Sequence, residues 1–387
     1  MGFGLLFIAS GTLITGAANS LLTKFQDNQC VKNCSPTTNK EPIYFNQPGI
    51  QTLQMFLGEL LMYFVYIIYK YKTLKKLNNQ DSIQFQEKSI WSNWKFSIPA
   101  ICDLSCTTLL NIGLIYIPVS IYQMTRGSVV LFVAIFSILF LKRKISNFKW
   151  MSLLFVSAGV CIVGLSGSKT EDSGNKENLG LIIFGILLVV GATSLQGIQF
   201  VVEEYILEKN PIIPLQLVYI EGFFGTLILL VLMILTNFIA KYILPSEEFL
   251  ISPFNLYESF YQLISNKIIL ITSFCIMLSI SSFNYFGLSI THQVSATARS
   301  TIDTCRTLLV WIVALMIGWE KFKLLQLIGF IILVFGTLCF NDVIKSTHFE
   351  WLPSWLKDDD EEVVIIGDDE ANRNLMDEDL EERLIGR

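Results

Sequence analysis

Seven ionisable side chains stand in stretches otherwise built of Leu, Ile, Phe and Val: Glu59, Asp103, Arg126, Glu221, Arg299, Asp303 and Arg306. A charge in such surroundings costs a few kcal/mol or more unless it meets a partner or a wet cavity. Asp303 follows Arg299 by four residues and precedes Arg306 by three, so the three share one helical face. Such an Arg–Asp–Arg ladder keeps one net positive charge, and Arg126 adds another. Guanidinium forks bind carboxylate and phosphate bidentately, so the ligand these residues suit is an anionic or phosphate-bearing solute. Arg126, Arg299 and Gln123 are the substrate-binding candidates, with hydroxyls from Ser105, Thr108 and Ser281 as hydrogen-bonding groups. Glu59, Asp103, Glu221, Asp303 and Arg306 are candidates for ion pairing or for coupling to an ion. A competing reading is that the charges only pair to hold helices in register and that the hydroxyl residues only let helices pack closely. Glu203 and Glu204 are expected at a helix end, in the membrane interface.

Helices must position these groups. Hydrophobic residues make up 52% of the chain and charged residues 16%, with a mean hydropathy of +0.53. A water-soluble fold has no means of hiding that much apolar surface, whereas a bilayer accepts it. Apolar runs of about 20 residues, the length that crosses a bilayer, fall at 4–23, 51–69, 97–116, 119–141, 150–167, 179–202, 213–238, 268–290, 296–318 and 324–341. The expected fold class is an all-α polytopic membrane protein of about ten transmembrane helices. Only the Pro118 region separates the third run from the fourth, which predicts a tight helical hairpin. The N-terminus lacks the basic start and small-residue cleavage site of a removable signal peptide, so the first helix reads as a signal anchor.

Lysine and arginine crowd the 70–95 and 142–149 connections, which orients both toward the cytosol and, with an even helix count, places both termini there. The first loop then faces a lumen. It carries Cys30 and Cys34, a candidate disulfide if that compartment is oxidising, and the glycosylation triplet Asn33-Cys34-Ser35, with Asn33 the candidate acceptor. The remaining cysteines, Cys102, Cys106, Cys161, Cys275, Cys305 and Cys339, lie in apolar runs and read as small core residues. His292 and His348 are the only histidines, too few beside the cysteine pair for a zinc site; no metal and no cofactor is expected. Residues 343–387 are acidic and polar and are expected to form a disordered cytosolic tail. Leu384-Ile385 near its end resembles an acidic dileucine sorting signal, although Leu380 replaces the expected acid. An adaptor on the tail is the partner such a signal implies, in an endosomal or lysosomal setting.

The chain also repeats. Leu104-Ser105 and Gly113-Leu114 recur as Leu278-Ser279 and Gly287-Leu288; Val119-Ser120 recurs as Val294-Ser295. Gly16-Ala17 resembles Gly191-Ala192, and Glu59 beside Gly58 matches Glu221 beside Gly222. Five helices is an odd number, so consecutive copies enter the membrane from opposite sides. That is an inverted repeat, which serves alternating access to a site between the halves. The expected division is 1–168 and 179–342 as the two five-helix repeats, joined by a lumenal linker at 169–178.

These residues also carry a resemblance. The order Phe56-Leu57-Gly58-Glu59, Cys102-Asp103-Leu104, Gln123-Met124-Thr125-Arg126-Gly127, Glu203-Glu204, Glu221-Gly222, Phe283-Asn284 and Ser295-Ala296-Thr297-Ala298-Arg299 is similar to solute carrier family 35, of the drug/metabolite transporter superfamily. Asp303, Cys305-Arg306-Thr307 and Gly318-Trp319-Glu320 continue the match, which runs from residue 4 to 342. The resemblance implies the ten-helix inverted-repeat fold and a secondary transporter or exchanger in an internal membrane. Lysosome or endosome is the expected setting, with Golgi or mitochondrion as alternatives. Nucleotide-sugar cargo is implied by analogy alone. The chain departs from the superfamily pattern at Lys142-Arg143-Lys144, where many members end the fourth helix with Glu. The rival function is a membrane protein that binds or regulates a partner protein without transport. An enzyme finds no nucleophile–base pair, phosphate loop or metal motif here. The partners expected are a small-molecule solute and the lipid bilayer, with no nucleic acid; a homodimer stays open.

Overall fold

Inside hydrocarbon every backbone N–H and C=O must be satisfied within its own segment, so apolar runs of this length fold as helices. The computed structural model describes residues 3–34, 42–76, 94–117, 122, 125–142, 146–168, 176–210, 212–245, 249, 252–319, 322, 324–341 and 344. Ten helices there overlie the ten expected spans, the fourth covering only the second part of the expected 119–141. They are α1 (Phe3–Asp27), α2 (Pro48–Lys76), α3 (Ser97–Tyr116), α4 (Val129–Leu141), α5 (Asn147–Ser168), α6 (Lys176–Lys209), α7 (Pro214–Ile243), α9 (Lys267–Gln293), α10 (Ala296–Ile317) and α11 (Leu324–Phe340). Seven are long and apolar enough to cross a membrane, and α4, α5 and α11 contribute shorter apolar stretches. A 3-10 turn over Arg126–Ser128 leads into α4. Besides a 3-10 turn at Trp94–Phe96, two elements fall outside the expected spans. One is a small antiparallel hairpin of β1 (Cys30–Lys32) and β2 (Ile43–Tyr44); the other is the short helix α8 (Leu256–Ser265).

Local chemistry sets several helix ends. Pro214 opens α7, and the Ile213 N–H donates to Gln216 Oε1 at 3.0 Å. Ser295, from the repeated Val-Ser pair, caps α10 by accepting the Ala298 N–H at 3.1 Å. α4 and α10 both stop at a left-handed residue, Lys142 (φ 54°) and Gly318 (φ 80°), so the two helices end alike although only one has a glycine there.

The closest helix pairings are α5 with α11, α3 with α6, α1 with α9 and α2 with α7, followed by α2 with α9, α4 with α6, α1 with α10 and α3 with α7, with α4 also against α10. Exchanging the first five spanning helices for the second five leaves this set unchanged. Backbones approach closely at glycine: a Cβ on Gly222 would strike Glu59 and Leu60, and one on Gly58 would strike the Met277 backbone. Small residues of this kind are what lets membrane helices associate, since lipid is as apolar as the side chains. The same argument corrects the cysteine expectation. Cys106 and Cys339 are buried, but Cys161 and Cys275 face outward and Cys102 and Cys305 are half-buried. With lipid outside the bundle, an apolar thiol has no reason to prefer the core.

One end of the bundle is closed by polar contacts around the hairpin. Cys30 and Cys34 are joined by a disulfide, and Asn33 sits between them with φ 58°. Phe45 is buried against Ile50, Leu53 and Phe56 of α2. Gln26 of α1 donates to Ser273 Oγ of α9 at 2.8 Å, and Gln54 of α2 donates to the same oxygen at 2.9 Å.

Candidate functional site

The charges inside the bundle form two lobes of opposite balance; most are buried, whereas Asp103 and Arg126 are half-buried. In the first, Arg299 of α10 pairs with Glu203 of α6. The Arg299 guanidinium lies 4.1 Å from the Phe200 ring centroid, and a Cβ on Gly287 would come within 2.8 Å of its Nε. Gln199 Nε2, one helical turn before Glu203, donates to Glu203 Oε1 at 2.9 Å. Asn284 of α9 donates to Glu59 Oε1 of α2, leaving Glu59 Oε2 and Glu221 Oε1 with no hydrogen-bond partner among the described residues. Glu59, Asp103, Glu203 and Glu221 interact electrostatically with one another around this one guanidinium. The lobe is acidic.

The second lobe is basic. Asp303 Oδ1 lies 2.7 Å from Arg306 Nε, an ion pair by distance without the alignment of a hydrogen bond. The Arg306 guanidinium packs 4.8 Å from the Phe283 ring. Its Nη1 donates to the Gly16 carbonyl and to Ser20 Oγ of α1, both at 3.4 Å. Arg126 stands 5.9 Å from the Tyr122 ring, within electrostatic reach of both Asp303 and Arg306. Its Nε has no hydrogen-bond partner among the described residues. Two guanidinium groups therefore share one nearby carboxylate. Asp103, which also feels Arg126, links the lobes.

The expected charged residues thus gather, but in a different pattern. Asp303 pairs with Arg306 and not with Arg299, which turns to α6 instead, so the three-residue ladder is not formed. Glu203 and Glu204 are corrected from interfacial to buried, at 0% and 1% exposure. The reason is length: α6 runs to Lys209, beyond the expected 202, and carries both acids inside the bundle. The hydroxyl of Thr108 bonds the Leu104 carbonyl at 2.8 Å and that of Ser281 the Leu278 carbonyl at 3.1 Å. Both oxygens are satisfied within their own helices; Ser105 is half-buried. Ser279, from the same cluster, donates to the Thr15 carbonyl of α1 at 2.7 Å and so serves helix packing. Gln123, Pro118, Glu320, Leu384 and Ile385 lie outside the described residues, as does Ser35 of the glycosylation triplet.

Two side chains that bond the site carboxylates, Gln199 and Asn284, were not among the candidates. Gln199 could have been found from its four-residue spacing to Glu203. Gln54 and Gln216 stand five residues before Glu59 and Glu221, a Gln-x4-Glu repeat that extends the Glu match. Gln216 Nε2 donates to the Tyr66 hydroxyl at 2.9 Å. No local signal marks Asn284 as the partner of Glu59, because that contact joins helices far apart in the chain.

Residues 30–247 match the family profile described as nucleotide-sugar transporter, more than half of the chain. An uncharacterized protein of Schizosaccharomyces pombe is 37% identical over 86% of this chain and 96% of its own length. Solute carrier family 35 member F6 of Rattus norvegicus is 34% identical, covering 87% of this chain and 88% of that protein. The human protein of the same name is 31% identical over 98% of this chain and 95% of its own.

Proposed function

Given that the chain belongs to the nucleotide-sugar transporter family, within solute carrier family 35, we propose that it carries a small polar anionic metabolite across an organelle membrane by alternating access. Membership makes it an integral membrane protein of an internal membrane that transports small solutes. The observation that carries the finer reading is Arg126. Unlike Arg299 and Arg306, it has no ion-pair partner among the described residues; Tyr122 is its hydrogen-bond neighbour, its Nε is unengaged there as theirs are, and such a fork suits a carboxylate or phosphate. Arg306 and the Tyr122 ring flank it; Arg299, committed to Glu203, holds the acidic lobe together instead.

A nucleotide-sugar-like anion is the favoured cargo, by analogy with the family. The anion would settle against Arg126 and draw on the partly neutralised Arg306. Four carboxyl groups around one guanidinium leave a charge imbalance in the other lobe, which a co-transported cation or proton would offset. Glu59, Asp103 and Glu221 are the coupling candidates. Two inverted halves, 1–168 and 179–342, are supported by the ordered sequence repeat and by pairings unchanged on exchanging them. Gln54 and Gln216 lie in the N-terminal parts of α2 and α7, so the repeated Gln-x4-Glu segments would enter the membrane from opposite ends.

The test is solute binding by the purified protein. Across a panel of nucleotide sugars and smaller anions, at least one should raise the Tm of the wild-type chain. Arg126→Ala should weaken that binding about tenfold or more, the worth of a charge-assisted hydrogen bond, and Arg126→Lys should restore part of it. Equal binding by Arg126→Ala and wild type would remove Arg126 from the site.

A further inference from the structure

Helix α8 is amphipathic in the wrong sense for a helix bathed in water. Its polar residues face the protein. Ser259 is 1% exposed and donates to Gln47 Oε1 at 2.7 Å; Gln262 is 8% exposed and accepts from Gln47 Nε2 at 3.3 Å. Glu258 on the same side receives Gln262 Nε2 at 2.9 Å and pairs with Lys32 of β1 at 2.6 Å. The opposite face, Tyr257, Phe260, Tyr261 and Ile264, points away from the protein, with Tyr257 79% and Tyr261 55% exposed. Those four positions follow the i, i+3, i+4, i+7 pattern of a single helical stripe. A water-facing helix would bury that stripe and expose the serine and glutamine.

We propose that α8 lies in the membrane interface and that its aromatic stripe is covered by phospholipid of the leaflet at the hairpin end. Continuity supports lipid as the occupant. The stripe adjoins the end of α7, where Phe238, Tyr242 and Ile243 are exposed, and the start of α9, where Ile268 and Ile271 are exposed. These flanking residues belong to membrane-crossing helices whose outer surface is lipid-facing. Tyrosine suits this level of a bilayer, because its ring sits among acyl chains while its hydroxyl reaches the headgroups. Tyr257 and Tyr261 stack along the stripe with ring centroids 6.4 Å apart, and a groove of about 520 Å³ runs beside them. The polar face meanwhile holds the disulfide hairpin through Gln47 and Lys32. α8 thus fastens the loop between α1 and α2 to the membrane surface. This assignment rests on the fold and is independent of the solute.

The experiment places the photoreactive p-benzoylphenylalanine at Tyr261 in the full chain, reconstituted in phosphatidylcholine vesicles, with the same substitution at Phe238 of α7 as the lipid-facing reference. Irradiation should add the mass of one phosphatidylcholine to the chain at both positions. An adduct between two copies of the chain at Tyr261 would show that a second protomer covers the stripe and would overturn the proposal. So would absence of the lipid adduct at Tyr261 when Phe238 gives one. Repeating the measurement at Tyr257 guards against a variant that does not fold.

Discussion

Arg126 and Arg299 carry the same charge in different company, and that difference is testable one side chain at a time. Arg299 and Glu203 are 3% and 0% exposed on their side chains, so removing either leaves an uncompensated buried charge. Arg299→Met should cost about 3–5 kcal/mol of stability, read as a lowered Tm in detergent. The double variant with Glu203→Gln should recover part of that loss, because no lone charge stays behind; a strictly additive double variant would show that the pair is not coupled. Arg126→Ala should cost less stability than Arg299→Met while losing solute binding. If both arginines affected only stability, the division between a structural and a solute-facing guanidinium would be wrong.

Among the elements, glycine sets the seats of the charges. Gly287 of α9 lies under Arg299, and a Cβ on Gly16 of α1 would strike the Arg306 side chain. Gly287→Ala and Gly16→Ala should each destabilise by about 1–3 kcal/mol through overpacking, whereas Gly180→Ala, inside α6 with open space around it, should be neutral to stabilising, by at most about 1 kcal/mol, in the same thermal measurement. The loop clamp responds to acid. Partial burial pushes the Glu258 carboxyl up, but hydrogen bonds from Lys32 and Gln262 outweigh it and hold it below its usual 4.5. A lowered folded value means the stabilisation is present above the ordinary carboxylate range and lost as pH falls through the lower one. The Tm advantage of wild type over Glu258→Gln should therefore be present at neutral pH and close below about 4.5. An advantage that persisted there would show that the carboxylate charge is not what holds the hairpin.

The ten spans were legible because each needs only local information, a run of apolar residues of the right length. So was the set of buried charges, since a charge in such a run stands out by composition. Their partners were not. Asp303 finds Arg306 three residues away, yet Arg299 reaches Glu203 on another helix, and spacing along one helix has no knowledge of a second. Helix α8 escaped for another reason: ten residues with exposed tyrosines resemble neither a span nor a soluble amphipathic helix until the surroundings are known to be lipid.

For the whole molecule, the pairings that survive exchange of the two halves matter most. α2–α7, α4–α10 and α5–α11 each map onto themselves, and α1–α9 maps onto α3–α6. The proposed halves, joined this way, would keep their set of partners on trading conformations, as the proposed alternating access asks of a carrier. The acidic and basic lobes are built from helices of both halves, so such an exchange would rearrange both together. Solute flux tests this most directly, in vesicles containing only the purified chain and loaded with a mixed pool of nucleotide sugars and small anions. Time-dependent uptake of at least one labelled anion, accelerated by unlabelled solute inside and lost in Arg126→Ala, is expected. Uptake no faster than in protein-free vesicles, across the pool and in both directions, would contradict a carrier of anionic solutes.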